Sequence, residues 1–88
     1  MSASFLGGPA PEYPDALRNH GIQGSVRVRM IVGKDGTVES ASVISGSGYG
    51  QMDQAALDAA YGYQFEPAYK EGYPVRCYAT KTFTFRLN

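Results

Sequence analysis

Eighty-eight residues make one domain with a single modest core and little stability to spare. Eight Lys and Arg offset eight Asp and Glu, so the chain lacks the basic surface of a phosphate-backbone binder and no nucleic-acid partner is expected. Cys77 is the single cysteine and His20 the single histidine, which excludes a disulfide framework and leaves too few ligands for a structural zinc site. Hydrophobic residues are 43% of the chain, including seven Tyr and four Phe, and argue against disorder. No apolar run approaches the ~18 residues of a membrane helix, and no secretory leader is visible.

Residues 1–10 are small and rich in Pro and Gly and read as a linker or a cloning remnant; residues 11–88 read as the domain. A short helix is predicted from Tyr13-Pro14, with Pro14 in the first turn, Asp15 at the positive end of the dipole and Gly21 as a left-handed stop. Ser25–Val32 alternates Val26, Val28, Met30 and Val32 with Arg27 and Arg29, the pattern of a strand with one buried face. Gly33-Lys34-Asp35-Gly36 is a hairpin turn. The return strand, Thr37–Ile44, places Val38, Ala41 and Val43 three and then two apart, which predicts a bulge.

A glycine-rich connection follows, Gly46 to Gly50. It lacks the third glycine of a dinucleotide loop and the Lys of a phosphate loop. Met52, Ala55, Ala56, Ala59, Ala60 and Tyr63 make one helical stripe, while Leu57 and Tyr61 project from the other side. Lys70-Glu71-Gly72 reads as a turn. The closing segment, Val75–Leu87, alternates Val75, Cys77, Ala79, Phe83, Phe85 and Leu87 with Arg76, Tyr78, Thr80, Thr82, Thr84 and Arg86. As one strand it would span about 40 Å, and Lys81 interrupts the apolar face, so the strand either bends there or leaves part of itself unpaired.

The order α-β-β-α-β predicts an α+β fold, a three-stranded antiparallel sheet with two helices packed on one face. The final strand is then an edge with free backbone N–H and C=O groups. That edge reads either as an ordinary sheet boundary or as a rail on which an extended peptide adds a strand. Cys77 and His20 have no third catalytic member, and Gly21-Ile22-Gln23-Gly24 leads into a strand rather than joining the two helices of an RNA clamp. The carboxylates are scattered and ask for no paired-acid site, so neither a cofactor nor an enzymatic reaction is expected.

Pro11-Glu12-Tyr13-Pro14-x-x-Leu17, Gly21-x-x-Gly24-x-Val26-x-Val28 and Val32-x-x-Asp35-Gly36-x-Val38 stand in an order that resembles the C-terminal domain of TonB-family energy transducers. So do Asp53-x-x-Ala56-Leu57-x-Ala59, Phe65-x-Pro67-Ala68 and Gly72-x-Pro74-Val75. The resemblance covers residues 11–88. It implies a periplasmic domain of a protein anchored in the inner membrane of a Gram-negative bacterium and driven by ExbB–ExbD. Such a domain grips the TonB box of outer-membrane receptors, so that siderophores or cobalamin enter. It also implies that the box pairs with the last strand, here Arg76 through Thr84, so the partner-binding candidates are Arg76, Tyr78, Thr80, Lys81, Thr82 and Thr84. Tyr13 and Pro14, the family's Tyr-Pro, join them. Family members often carry Trp where Tyr63 stands and a polar residue where Ala10 and Pro11 stand. A TolA-like interaction domain and a self-associating homodimer module are the alternatives.

Overall fold

In the computed structural model, which describes residues 2–87, the Ser25–Val32 alternation becomes β2 (Gly24–Val32), the spine of the molecule. Val26, Val28, Met30 and Val32 are completely buried on one face, each gaining about 1.5–3 kcal/mol over exposure, and Arg27 and Arg29 are exposed on the other. β3 (Val38–Ser45) pairs antiparallel with one flank of β2 and β7 (Cys77–Phe85) with the other, giving the sheet order β3-β2-β7. β3 and β7 therefore run parallel to each other, joined by a crossover that contains α2 (Gly50–Tyr61). Leu17 of α1 (Asp15–Asn19) and Met52, Ala56, Ala59 and Ala60 of α2 enter one core with the β2 valines, Phe83 and Phe85. The chain is thus α+β, with its two helices packed against antiparallel strands as expected.

Local chemistry explains the turns. Gly21, at φ +70°, ends α1: its N–H donates to the Arg18 carbonyl at 3.0 Å, and the Ile22 N–H reaches back to the Leu17 carbonyl at 2.9 Å. This pairing satisfies the last helical acceptors. Pro14 stands one position before the helix rather than inside its first turn, and its carbonyl accepts from the N–H groups of Leu17 and Arg18. The β2–β3 loop is a tight turn closed by Gly36 at φ +86°. Asp35 Oδ1 accepts from the Thr37 hydroxyl at 2.7 Å and the Thr37 N–H at 3.0 Å. Glu39 is the extra residue between the pairs Val32–Val38 and Ile31–Ser40, so the bulge lies where the three-then-two spacing puts it. A second bulge, at Ile44, carries no such signature.

The structure departs from expectation at the N-terminus and after α2. Ser4–Gly7, read as linker, forms β1 and pairs with β4 (Gln64–Glu66). The cause is aromatic packing: the Phe5 ring lies 4.6 Å from Tyr63 and 5.7 Å from Phe65, centroid to centroid. Gly8 then passes so close to Tyr63 that a Cβ would stand 2.2 Å from the ring. Helix α2 stops at Tyr61, so Tyr63 contributes its side chain from beyond the helix. Nor is Val75–Leu87 one strand. β5 (Ala68–Lys70) and β6 (Tyr73–Val75) make a separate hairpin around Glu71 and Gly72, both at positive φ, and the break falls at Arg76. No bend occurs at Lys81, which pairs in register with Val28.

Gly36 is needed twice, for its left-handed backbone and because a Cβ there would stand 1.9 Å from the Phe65 carbonyl oxygen. The Gly36 carbonyl also accepts from the Phe65 N–H at 2.9 Å. Gly36→Ala should cost about 1–3 kcal/mol in backbone strain, with the collision adding to it. It would be read as a lower urea midpoint at unchanged slope; an unchanged midpoint would contradict this account of the turn. The Thr37 hydroxyl and then its N–H hold the Asp35 carboxyl below its ordinary value of 3.8. A lowered folded-state pKa contributes stability above that value, lost as pH falls through the folded pKa. In Thr37→Val, an NMR titration of Asp35 should move back toward 3.8.

Candidate docking edge

β7 is a nine-residue ladder on β2, from Gly24–Phe85 to Val32–Cys77, with no bulge. Its β-branched and aromatic content suits a pleated surface, and Phe83 and Phe85 anchor its inner face in the core. In an antiparallel strand, consecutive residues direct their N–H and C=O groups to opposite flanks. Two bonds fix which residues of β7 look outward. The Gly33 N–H donates to Thr37 at 2.8 Å, so Gly33, Ile31 and Arg29 address β3, while Val32, Met30 and Val28 address β7. The Ala41 N–H points away from β2 to the Tyr61 hydroxyl at 3.1 Å, which gives the same phase. Cys77, Ala79, Lys81, Phe83 and Phe85 therefore bond to β2. Tyr78, Thr80, Thr82 and Thr84 present their backbone groups to the open flank, where among the described residues no strand pairs with them.

The sheet has a second edge, β3, and it is blunted. Two bulges interrupt it, and the Tyr61 hydroxyl occupies the outward N–H of Ala41. β7 has neither device. Its outer flank offers about 27 Å of regular strand edge, unpaired among the described residues.

The side chains of Tyr78, Thr80, Thr82 and Thr84 share the outer face of the sheet, which no helix covers. Lys81 is exposed but belongs to the opposite face, among Ala79 and Phe83. Arg76 lies outside β7 and is committed to Glu39, its Nε 2.7 Å from the carboxylate. The absence of a side chain at Gly33 leaves room for that carboxylate, since a Cβ there would meet it at 2.8 Å. Tyr13 and Pro14 stand near the far end of the strand. The Tyr13 ring packs edge-on against Phe85 at 5.5 Å, and its hydroxyl donates to the Ile22 carbonyl. Both residues also line a surface cleft of about 500 Å³ between the N-terminal segment and α2, with Glu12, Gln54 and Asp58. The structure thus brings four of the eight candidates onto one continuous flank and sets Arg76, Lys81, Tyr13 and Pro14 around it.

Sequence reasoning missed two features of this region. Arg29 of the central strand folds over the exposed Tyr78 ring, its guanidinium carbon 5.0 Å from the centroid. Alternation indicated that Arg29 faces solvent, but not which neighbour it covers. The β5–β6 hairpin exposes Tyr69 and Tyr73 before the strand begins; the Tyr69 hydroxyl donates to Glu66 at 3.0 Å, and that bond raises its pKa. Pro67 and Pro74, which flank the turn at Lys70-Glu71-Gly72, were the available signal. Cys77 begins β7, whereas His20 bonds the Ala16 carbonyl at the end of α1, near the other end of that strand. The Gly46–Gly50 loop is closed by Asp53, whose carboxylate accepts from the Ser47 N–H at 2.9 Å and hydroxyl at 2.8 Å. Among the described residues no three His, Cys, Asp or Glu side chains converge as metal ligands.

The profile of the Gram-negative bacterial TonB protein C-terminal family matches residues 9–87. The chain belongs to the TonB C-terminal family. Protein tonB2 of Pseudomonas aeruginosa is 32% identical over 87 residues, covering 99% of this chain and 32% of that protein. Protein TonB of Vibrio cholerae is 34% identical over 65 residues, 74% of this chain and 27% of its own length. The chain therefore spans about a third or less of these curated relatives. The solution NMR structure of the Pseudomonas aeruginosa TonB CTD superposes with a TM-score of 0.79 at 28% identity, covering 97% of this chain and 86% of that one.

The alternating phase of β7 is directly measurable. In amide hydrogen exchange, Ala79, Lys81 and Phe83 should be protected, while Tyr78, Thr80, Thr82 and Thr84 exchange rapidly. Uniform protection along β7 would mean that its outer flank is already bonded.

Proposed function

We propose that this domain is the receptor-docking end of a TonB-like energy transducer. It binds the TonB box of an outer-membrane receptor as an added strand on β7. The observation behind this reading is the open, regular flank of β7 beside a blunted β3. The family relationship adds its weight. The remainder of the protein would supply the inner-membrane anchor and the coupling to ExbB–ExbD, with the domain itself in the periplasm. The role is binding and force transmission for nutrient uptake, without chemistry on a substrate.

Backbone pairing suits a domain that must serve several receptors, because main-chain groups carry no side-chain information. Tyr78, Thr80, Thr82 and Thr84 can exchange N–H and C=O bonds with a guest, at about 1 kcal/mol net per bond. Ordering the guest offsets part of this gain. With some side-chain contact the affinity falls near micromolar, about −8 kcal/mol, weak enough to release. Load applied along the strand axis stresses all of these bonds together, so the grip resists pulling better than its affinity suggests.

Proline separates this reading from its alternatives. Tyr78→Pro, Thr80→Pro and Thr82→Pro each remove an outward donor and leave the bonds to β2 in place. Titrated with a receptor TonB-box peptide, each variant that retains the native circular dichroism should bind about tenfold more weakly, whereas Thr80→Ser should bind like the parent. Undiminished binding by the folded proline variants would move the docking site elsewhere. Two copies pairing their β7 strands would use the same flank, and concentration-dependent sedimentation of the free domain would reveal them.

A further inference from the structure

We propose that Arg29 reads acidity in the docked segment: held over Tyr78, its guanidinium favours a carboxylate side chain at the guest position that faces Tyr78. The inference rests on strand addition to β7 and names a chemical preference that backbone pairing cannot supply.

Arg29 belongs to the central strand, where its direct partner on β7 is Thr80 and Tyr78 is the diagonal neighbour. Its side chain takes the diagonal and lies on the Tyr78 ring, 5.0 Å from the centroid. The charge is thereby carried from the middle of the sheet to the strand that borders the guest. It is not neutralised within the molecule. Among the described residues the ion pairs are Arg18–Asp15 and Arg76–Glu39, and neither involves Arg29. The positions beside it on this face are Arg27, Ile31, Ser40, Ser42, Thr80 and Thr82, none of them a carboxylate, and Glu39 is already paired with Arg76.

Contact with the ring restrains the guanidinium, and N–H groups not turned to the ring can donate to a carboxylate two at once. A guest residue paired across from Tyr78 projects to the same face, with its Cβ about 5 Å away. A Glu or Asp at that position would meet Arg29 directly. One residue earlier or later, the guest side chain lies on the opposite face and cannot. The preference should therefore be confined in register, unlike a general attraction of the domain for acidic peptides.

The test uses a receptor TonB-box peptide that binds the domain, resynthesised with Glu or with its neutral isostere Gln at each position in turn. At about 50 mM salt, one position should favour Glu by about two- to five-fold, and the margin should shrink at about 500 mM. Arg29→Gln should abolish the margin while leaving the affinity of the Gln peptide unchanged. Tyr78→Phe keeps the ring and should keep the margin; Tyr78→Ala releases Arg29 and should lose it. The absence of any Glu-favouring position in the parent, or a margin that survives Arg29→Gln, would overturn the proposal and leave strand docking intact. Failure of the Glu and Gln peptides alike to bind at β7 would defeat the docking reading, and this inference with it.

Discussion

The ladder between β2 and β7 is the constraint on which the rest of the structure depends. β2 is pinned by four side chains withdrawn completely from water, so its backbone phase is not free to slip. A one-residue shift would carry Val26, Val28, Met30 and Val32 to the solvent face and the two arginines into the core. Because β7 pairs with β2 over nine residues without a bulge, its phase is fixed in turn. The core thus determines, at a distance, which amides of β7 are left open. Packing of α1 and α2 against the inner face completes this arrangement without touching the open flank.

An exposed regular strand is an aggregation hazard, and the molecule manages its two edges differently. β3 is protected by irregularity and by the Tyr61 hydroxyl. β7 keeps its backbone regular and relies on composition: threonines on the outer face, an exposed Lys81 on the inner one, and the proline-containing β5–β6 hairpin before its start. Threonine and lysine discourage a flat apolar partner but do not obstruct main-chain bonds. This combination suits reversible pairing with a short segment better than a permanent interface.

Much of this architecture was legible in the sequence, for identifiable reasons. Period-two alternation located β2, the uneven spacing of Val38, Ala41 and Val43 located the first bulge, and Gly21 marked the end of α1 through its backbone freedom. The same reading assigned residues 4–7 to a linker, because Ser4-Phe5-Leu6 ahead of Gly7-Gly8-Pro9 carries no periodicity; only the approach of Tyr63 and Phe65 makes Phe5 a strand residue. It also fused β6 and β7, since Val75 continues the alternation of Cys77 and Ala79 and nothing in the spacing marks Arg76, whose partner Glu39 is distant in the chain. Of the site, the identity of the edge strand was readable. The outward phase of Tyr78, Thr80, Thr82 and Thr84 was not, because alternation reports which face a side chain takes and not which flank its amide addresses.

The most direct measurement of the central claim is an isotope-filtered NMR spectrum of the labelled domain with an unlabelled receptor TonB-box peptide. In an antiparallel guest pairing, the α-protons of Ala79, Lys81 and Phe83 approach those of the guest, because residues bonded to β2 direct their α-protons outward. A guest strand on β7 predicts intermolecular contacts at these three positions in alternation with slowed exchange at Tyr78, Thr80 and Thr82. Contacts confined to β3, or to the cleft between Tyr13 and α2, would contradict it.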